Sequence, residues 1–214
     1  MLALGRLSCV FSRQFASGSM ASCVTEWFTS GSNIILCATA LQSSYKLFRD
    51  HRGPSVGFFL LGFSAALCVL HVSTSSFQRE AEWTGEVLAP ALVSFDLLWL
   101  SQDHNTARVL LTGSCLLLGL SDWFSADTLT ILTLYLGLFS LSCCLTVCLF
   151  TGNGLGAAGG VALSLPLLLT ERAHTVAPLI SPRATEGLIK WSLSIGCWFS
   201  TQGFNKFLLD VTEQ

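Results

Sequence analysis

Charged side chains are scarce in this sequence. Asp, Glu, Lys and Arg make up 11% of the 214 residues, under half of the roughly 25% that is typical of a soluble domain. Lys and Arg number 11 against 13 Asp and Glu, which gives a net charge of -2 and no basic field that could attract nucleic acid. The composition therefore excludes a nucleic-acid-binding protein and leaves too few charges to cover a water-facing globular surface.

Motifs for metal binding and for nucleophilic catalysis are also missing. There is no C-x-x-C, H-x-x-x-H or H-E-x-x-H spacing for zinc, no G-x-S-x-G and no P-loop. Most of the 9 cysteines lie inside apolar runs, where a free cysteine behaves as a small hydrophobic residue. The sequence predicts no catalytic residue, no metal ligand and no cofactor.

Long apolar runs fill most of the chain. Hydrophobic residues make up 51% of it, and a helix of about 20 apolar residues is long enough to cross a membrane. The predicted fold class is therefore all-α, a polytopic transmembrane helical bundle of about seven spans over residues 27–208. The predicted spans are 27–46, 54–77, 83–101, 106–124, 128–150, 154–170 and 186–208.

The run over residues 128–170 has no charged side chain. As one helix it would be about 65 Å long, roughly twice the thickness of the hydrocarbon layer, so it must fold back. Thr151, Gly152, Asn153 and Gly154 supply the turn. Pro166 is expected to bend or end the sixth helix.

Two tails complete the predicted organisation. Residues 1–26 are expected to form a disordered tail and residues 209–214 a short C-terminal one, on opposite sides of the bilayer because the number of spans is odd. Residues 1–19 contain Arg6, Arg13 and several serines. A mitochondrial presequence is a secondary alternative for this segment, beside a short basic tail or a start at Met20.

Asp96 is the only acidic residue well inside a predicted span. A carboxylate in hydrocarbon must be paired, hydrogen-bonded or protonated. Helix geometry places Asp96 near the level of Arg108, Lys206 and Lys46, and we predict a candidate intramembrane polar site from Asp96, Arg108 and Lys206. It can be a proton, ion or substrate site, or a buried salt bridge that fixes helix register. On the same reckoning His71 lies toward the opposite face, beside Glu86 and Lys190.

Small residues recur at helical spacing on the last two predicted spans. They form a predicted helix-packing face of Gly152, Gly156, Gly160, Ser192, Gly196 and Ser200. Small residues let neighbouring helix backbones approach closely in a membrane. The two spans are expected to pack along these faces, and association with another copy or another membrane protein is the alternative use.

Three groups of residues carry a resemblance to a known family. They are Ser94-Phe95-Asp96 with Trp99 and Asp103; Phe150-Thr151 with Asn153, Gly156, Gly159 and Gly160; and Trp191 with Leu193, Gly196 and Trp198. In order and spacing they resemble the vertebrate transmembrane protein 276 family over roughly residues 20–208. The resemblance implies a small polytopic membrane protein without an assigned activity, and it supplies no catalytic residue.

Three functions remain open. The leading hypothesis is a non-enzymatic scaffold or assembly partner in a membrane, with the lipid bilayer and possible membrane-protein partners around it. The alternative is a carrier or channel-like protein with a polar path at Asp96. The third, an intramembrane metal-dependent lipid hydrolase, would need Asp96 and Ser64 with several histidines, whereas His71 is the sole imidazole in a predicted span.

Overall fold

The computed structural model describes residues 20–49, 52–70, 75–176 and 182–212. Within them all regular structure is helical, which confirms the predicted all-α fold class. The helices are α1 (Met20–Leu47), α2 (Arg52–Leu70), α3 (Ser75–Leu100), α4 (His104–Gly119), α5 (Ala126–Phe150), α6 (Gly154–Val176) and α7 (Pro182–Thr212), with a 3-10 turn at Ser121–Trp123 between α4 and α5.

The helix ends differ from the predicted span ends in several places. Helix α1 begins at Met20, inside the predicted tail, and residues 1–19 of that tail lie outside the described residues. The predicted second span over 54–77 covers α2 and the first residues of α3, while His71 between them is outside the described residues. Helix α4 ends at Gly119, where the low helix propensity of glycine favours an end.

Helix α3 is central in the bundle. It packs against α2, α4, α5 and α6, while α1 packs between α2 and α7, and α7 also packs against α6. A single cluster of buried apolar side chains joins all seven of these helices and includes Leu36, Phe58, Leu61, Val93, Leu110, Cys144, Leu163 and Leu193. Short turns at 101–103 and 151–153 make the helices on either side of each turn antiparallel neighbours.

Large apolar side chains also cover much of the outside of the bundle. Tyr45, Trp123, Leu149 and Phe150 are 85%, 86%, 74% and 88% exposed. Helices α2 and α5 are the two in the described part of the chain that are long and apolar enough to cross a membrane. An extended apolar exterior of this kind is suited to contact with lipid.

The turn between α3 and α4 is held by a helix cap. Gln102 has a positive φ of 64°, and the side chain of Asp103 accepts a hydrogen bond from the Thr106 backbone N–H at 3.2 Å. Hydrogen bonds from the side chain and the backbone of Thr106 hold the pKa of Asp103 below its ordinary value. The cap satisfies one of the free N–H groups at the start of α4.

Helix α6 continues through Pro166 to Val176, beyond the predicted span end at residue 170. Proline has no N–H and therefore leaves the carbonyl four residues earlier, that of Ala162, without its helical donor. The Ser192 hydroxyl on α7 donates to this carbonyl at 2.8 Å. A neighbouring helix thus supplies the hydrogen bond that Pro166 removes, as is common in membrane bundles.

Replacement of Ser192 by alanine tests this compensation. We expect Ser192→Ala to lower the free energy of unfolding by about 1–2 kcal/mol, because the Ala162 carbonyl loses its donor. Reversible unfolding in mixed micelles of mild and denaturing detergent measures the change. The control is Ser142→Ala, since Ser142 is exposed and bonds only to the Leu138 carbonyl of its own helix. Equal effects of the two substitutions would contradict the interpretation.

Candidate functional site

A cluster of charged side chains lies inside the bundle where α3 meets α7. The Lys190 ammonium group is 3.3 Å from Glu82 Oε1 on α3 and 2.8 Å from Glu186 Oε1 one turn earlier on α7. The Lys190 side chain is 7% exposed, whereas the side chains of Glu82 and Glu186 are 29% and 51% exposed. A buried lysine is thus paired with two carboxylates that lead from the interior toward the surface.

A thiol from α2 joins the same carboxylate. Cys68 Sγ donates to Glu82 Oε1 at 2.7 Å, and Gln78 Nε2 donates to Cys68 Sγ at 3.1 Å. Glu82 Oε1 therefore accepts from a lysine on α7 and a cysteine on α2. These contacts link three helices through one carboxylate oxygen, so the position of Glu82 is strongly constrained.

A small cavity of about 10 Å³ borders the cluster, enough for about one water molecule. Glu82, Glu86 and Lys190 line it with Asn33 from α1 and Ser64 from α2; its apolar lining consists of Leu36, Leu61, Ala65 and Leu193. Asn33 is 7% exposed, and its Oδ1 is buried without a hydrogen-bond partner among the described residues. The cavity therefore combines charged groups with an unsatisfied amide oxygen.

The predicted polar site around Asp96 has a different placement. Asp96 is half-buried on α3, and its Oδ1 faces the start of α2, 3.7 Å from the position of a Cβ on Gly53. Arg108, Lys206 and Lys46 are exposed. Helix α7, which carries Lys206, packs mainly against α1 and α6 rather than α3. A joint role for Asp96, Arg108 and Lys206 stays a prediction.

The predicted helix-packing face lies between α5, α6 and α7. A Cβ on Gly196 would be 2.8 Å from Leu163 Cγ, and one on Gly156 would be 2.8 Å from Cys148 Sγ. The Gly160 position faces Cys144 of α5, and Ser200 faces Gly159. Gly152 lies in the turn, with open space around it. Its φ of 65° is a left-handed conformation, which glycine adopts without strain.

Asn153 has a structural role that the sequence analysis did not predict, since it was assigned there only to a turn. Its side chain accepts the Gly156 N–H at 3.1 Å, capping α6, and donates to the Gly203 carbonyl on α7 at 2.8 Å. It is 1% exposed. The available signal was the asparagine at the end of the turn, directly before the apolar run of α6, since asparagine is strongly preferred as an N-cap.

The sequence did not predict the Glu82–Lys190 ion pair, although helix geometry placed Glu86 and Lys190 at the same level of the bilayer. Glu82 lies just outside the predicted third span, which begins at residue 83. The structure brings Glu82, Glu86 and Lys190 to the same cavity. No group of three or more His, Cys, Asp or Glu side chains among the described residues could hold a metal ion.

An apolar exterior around a helical bundle that holds a buried lysine paired with carboxylates is typical of a helical membrane protein. Comparisons with known proteins agree. Mouse (Mus musculus) transmembrane protein 276 is 28% identical over 175 residues, 81% of this chain and 90% of that protein. The bovine (Bos taurus) and human (Homo sapiens) proteins of the same name are 27% and 26% identical over 174 residues, 81% of this chain and 89% of each.

These matches confirm the resemblance and support membership of the chain in the transmembrane protein 276 family. No family model matches the sequence, and no solved structure matches the fold. The chain is therefore a membrane protein whose relatives bear a name that states no activity.

Removal of the lysine charge tests the energetic role of the cluster. We expect Lys190→Met to lower the free energy of unfolding by about 2–3 kcal/mol, because Glu82 would keep its charge in a half-buried position without a cation. The matched control, Lys206→Met, changes an exposed lysine on the same helix and should cost under about 0.5 kcal/mol. The unfolding measurement in mixed micelles compares the two.

The double variant Lys190→Met with Glu82→Gln provides the second check. It removes both charges, so it should be more stable than Lys190→Met alone. If Lys190→Met is as mild as Lys206→Met, or if the double variant is the least stable of the set, the pair does not contribute as described.

Proposed function

We propose that the chain is a seven-span, multi-pass integral membrane protein that acts as a non-enzymatic scaffold or assembly partner of other membrane components. The observation that carries this proposal is the use of interior hydroxyl groups to join helices. Thr39 on α1 meets Ser194 on α7 at 2.8 Å, and Ser94 on α3 meets Ser140 on α5 at 2.8 Å. Such interhelical hydrogen bonds favour a fixed bundle.

The number of spans is supported by helix length and arrangement. The shortest helix, α4, has 16 residues, or about 24 Å, and the 3-10 turn after it adds to this length. Helices α1, α3, α6 and α7 are longer but carry polar or charged groups. Several of these groups are paired inside the bundle, which reduces the cost of placing them in a membrane.

Labelling of single introduced cysteines tests the seven-span topology. Gln102, Asp122 and Thr151 are exposed positions at the ends of helices. Seven spans place Gln102→Cys and Thr151→Cys on the same side of the membrane and Asp122→Cys on the other. A membrane-impermeant maleimide applied to sealed vesicles measures which positions react before permeabilisation.

The outcome that contradicts seven spans is specific. If only α2 and α5 crossed, Gln102→Cys and Asp122→Cys would label together, and Thr151→Cys would label from the opposite side. The wild-type chain is the background control, because the native Cys115 is exposed on α4.

Photocrosslinking in native membranes tests the assembly role. A diazirine analogue of leucine replaces Leu149 or Leu116, which are 74% and 56% exposed on α5 and α4. We expect a protein adduct of defined mass from at least one of these positions, since a scaffold must contact its partner. The same analogue at Leu163, which is 0% exposed, should give only intramolecular products.

Lipid adducts alone from both exposed positions would contradict an assembly function through these two helices. An adduct of twice the mass of the chain would identify a second copy as the partner. An adduct of another mass would identify a different membrane protein.

A carrier function is the second candidate, and the charged cluster at the cavity is the observation that favours it. Ionisable side chains inside a membrane bundle commonly line paths for ions or polar substrates. The polar path predicted at Asp96 belongs to this second candidate.

A further inference from the structure

Glu86 differs from the other carboxylates of the charged cluster. Glu82 and Glu186 each contact the Lys190 ammonium group. Among the described residues the Glu86 carboxyl group makes no hydrogen bond and no ion pair, yet it lines the cavity. An ionised carboxylate in such a position requires a cation or a hydrogen-bond donor.

The interior charges of the cluster do not balance. Glu186 is half exposed and is stabilised by solvent as well as by Lys190. When Glu86 is ionised, the remaining groups at the cavity, Glu82, Glu86 and Lys190, amount to two negative charges against one positive. A single additional positive charge would neutralise them, which favours a monovalent ion over a divalent one.

Asn33 supplies the second, independent indication of a ligand. Five buried side-chain atoms among the described residues lack a hydrogen-bond partner, on Asn33, Thr133, Ser164, Trp191 and Ser200. Of these residues only Asn33 lines the cavity beside Glu86. Its Oδ1 is a carbonyl oxygen, which alkali and alkaline-earth cations prefer as a ligand together with carboxylate.

Ser64 adds a third oxygen to the same cavity. Its hydroxyl donates to the Leu61 carbonyl at 2.9 Å, so the lone pairs of the oxygen are available to accept or to coordinate. The cavity of about 10 Å³ matches one water-sized occupant. A sodium ion is of comparable size.

We propose that this cavity binds one monovalent alkali cation of about the size of sodium through the Glu86 carboxylate and the Asn33 side-chain carbonyl. The cation supplies the missing positive charge and satisfies the amide oxygen at once. Ion binding at this site requires neither the scaffold function nor the predicted path at Asp96.

Binding of radioactive sodium to the purified full-length protein tests the proposal. We expect saturable binding of one ion per chain in a scintillation proximity assay, with N-methylglucamine as the inert replacement cation. Glu86→Gln should weaken binding by about tenfold or more, and Asn33→Leu should also weaken it. Glu80→Gln is the matched control, since Glu80 is an exposed glutamate on the same helix.

Carbodiimide labelling of the wild-type chain locates the site without a variant that must fold. The reagent attacks a protonated carboxyl group, so sodium bound at Glu86 should protect that residue from modification relative to N-methylglucamine, as read by peptide mass spectrometry. Absence of saturable sodium binding would overturn the proposal. Binding by Glu86→Gln equal to that of Glu80→Gln, or equal labelling of Glu86 in both salts, would also overturn it, the latter indicating a proton alone.

Discussion

The close approach of α6 and α7 is the constraint on which the rest of the structure depends. A Cβ on Gly203 would lie 2.7 Å from the backbone of Gly156, so the two backbones are in direct contact. Lipid gives helices no hydrophobic reason to associate, and such contacts rely on packing and hydrogen bonds. The approach also brings the Ser192 hydroxyl to the Ala162 carbonyl, which Pro166 leaves without a helical donor. The packing of α7 against α6 also sets the level of Lys190 in the bundle.

The Lys190–Glu82 pair extends this constraint across the bundle. Helices α3 and α7 pack mainly against other helices, yet the ion pair joins them. A buried ion pair contributes little net stability, because desolvation offsets the attraction, whereas loss of one partner is costly. We infer that the pair acts chiefly to select one arrangement of α3 against α7, a role in which polar groups inside helical assemblies are well attested.

Much of the fold could be predicted, because long charge-free runs are a local property of the sequence. The need for a fold-back follows from the length of the charge-free run, and its place follows from the turn residues Thr151 to Gly154. Contacts between distant helices could not be predicted in this way. Helical rise gives the level of a residue, which is why Glu86 and Lys190 were placed together, but it does not give the direction of a side chain around the helix. The local rule for Pro166 predicts a bend or an end of the helix, but it cannot predict that Ser192 on another helix donates to the Ala162 carbonyl.

The scaffold function and the proposed cation site place different demands on the interior polar groups. A scaffold needs interior polar groups that bond to one another, and Ser94 with Ser140 or Asn153 with Gly203 fit that requirement. The Asn33 Oδ1 atom, by contrast, is buried without a partner among the described residues, in the cavity that Glu86 also lines. A cation bound there would connect α1 to α3, so its binding energy would favour the packed arrangement of these helices over any other. The structural role and the ligand site would then be linked, with the ion completing the same network that orders the bundle.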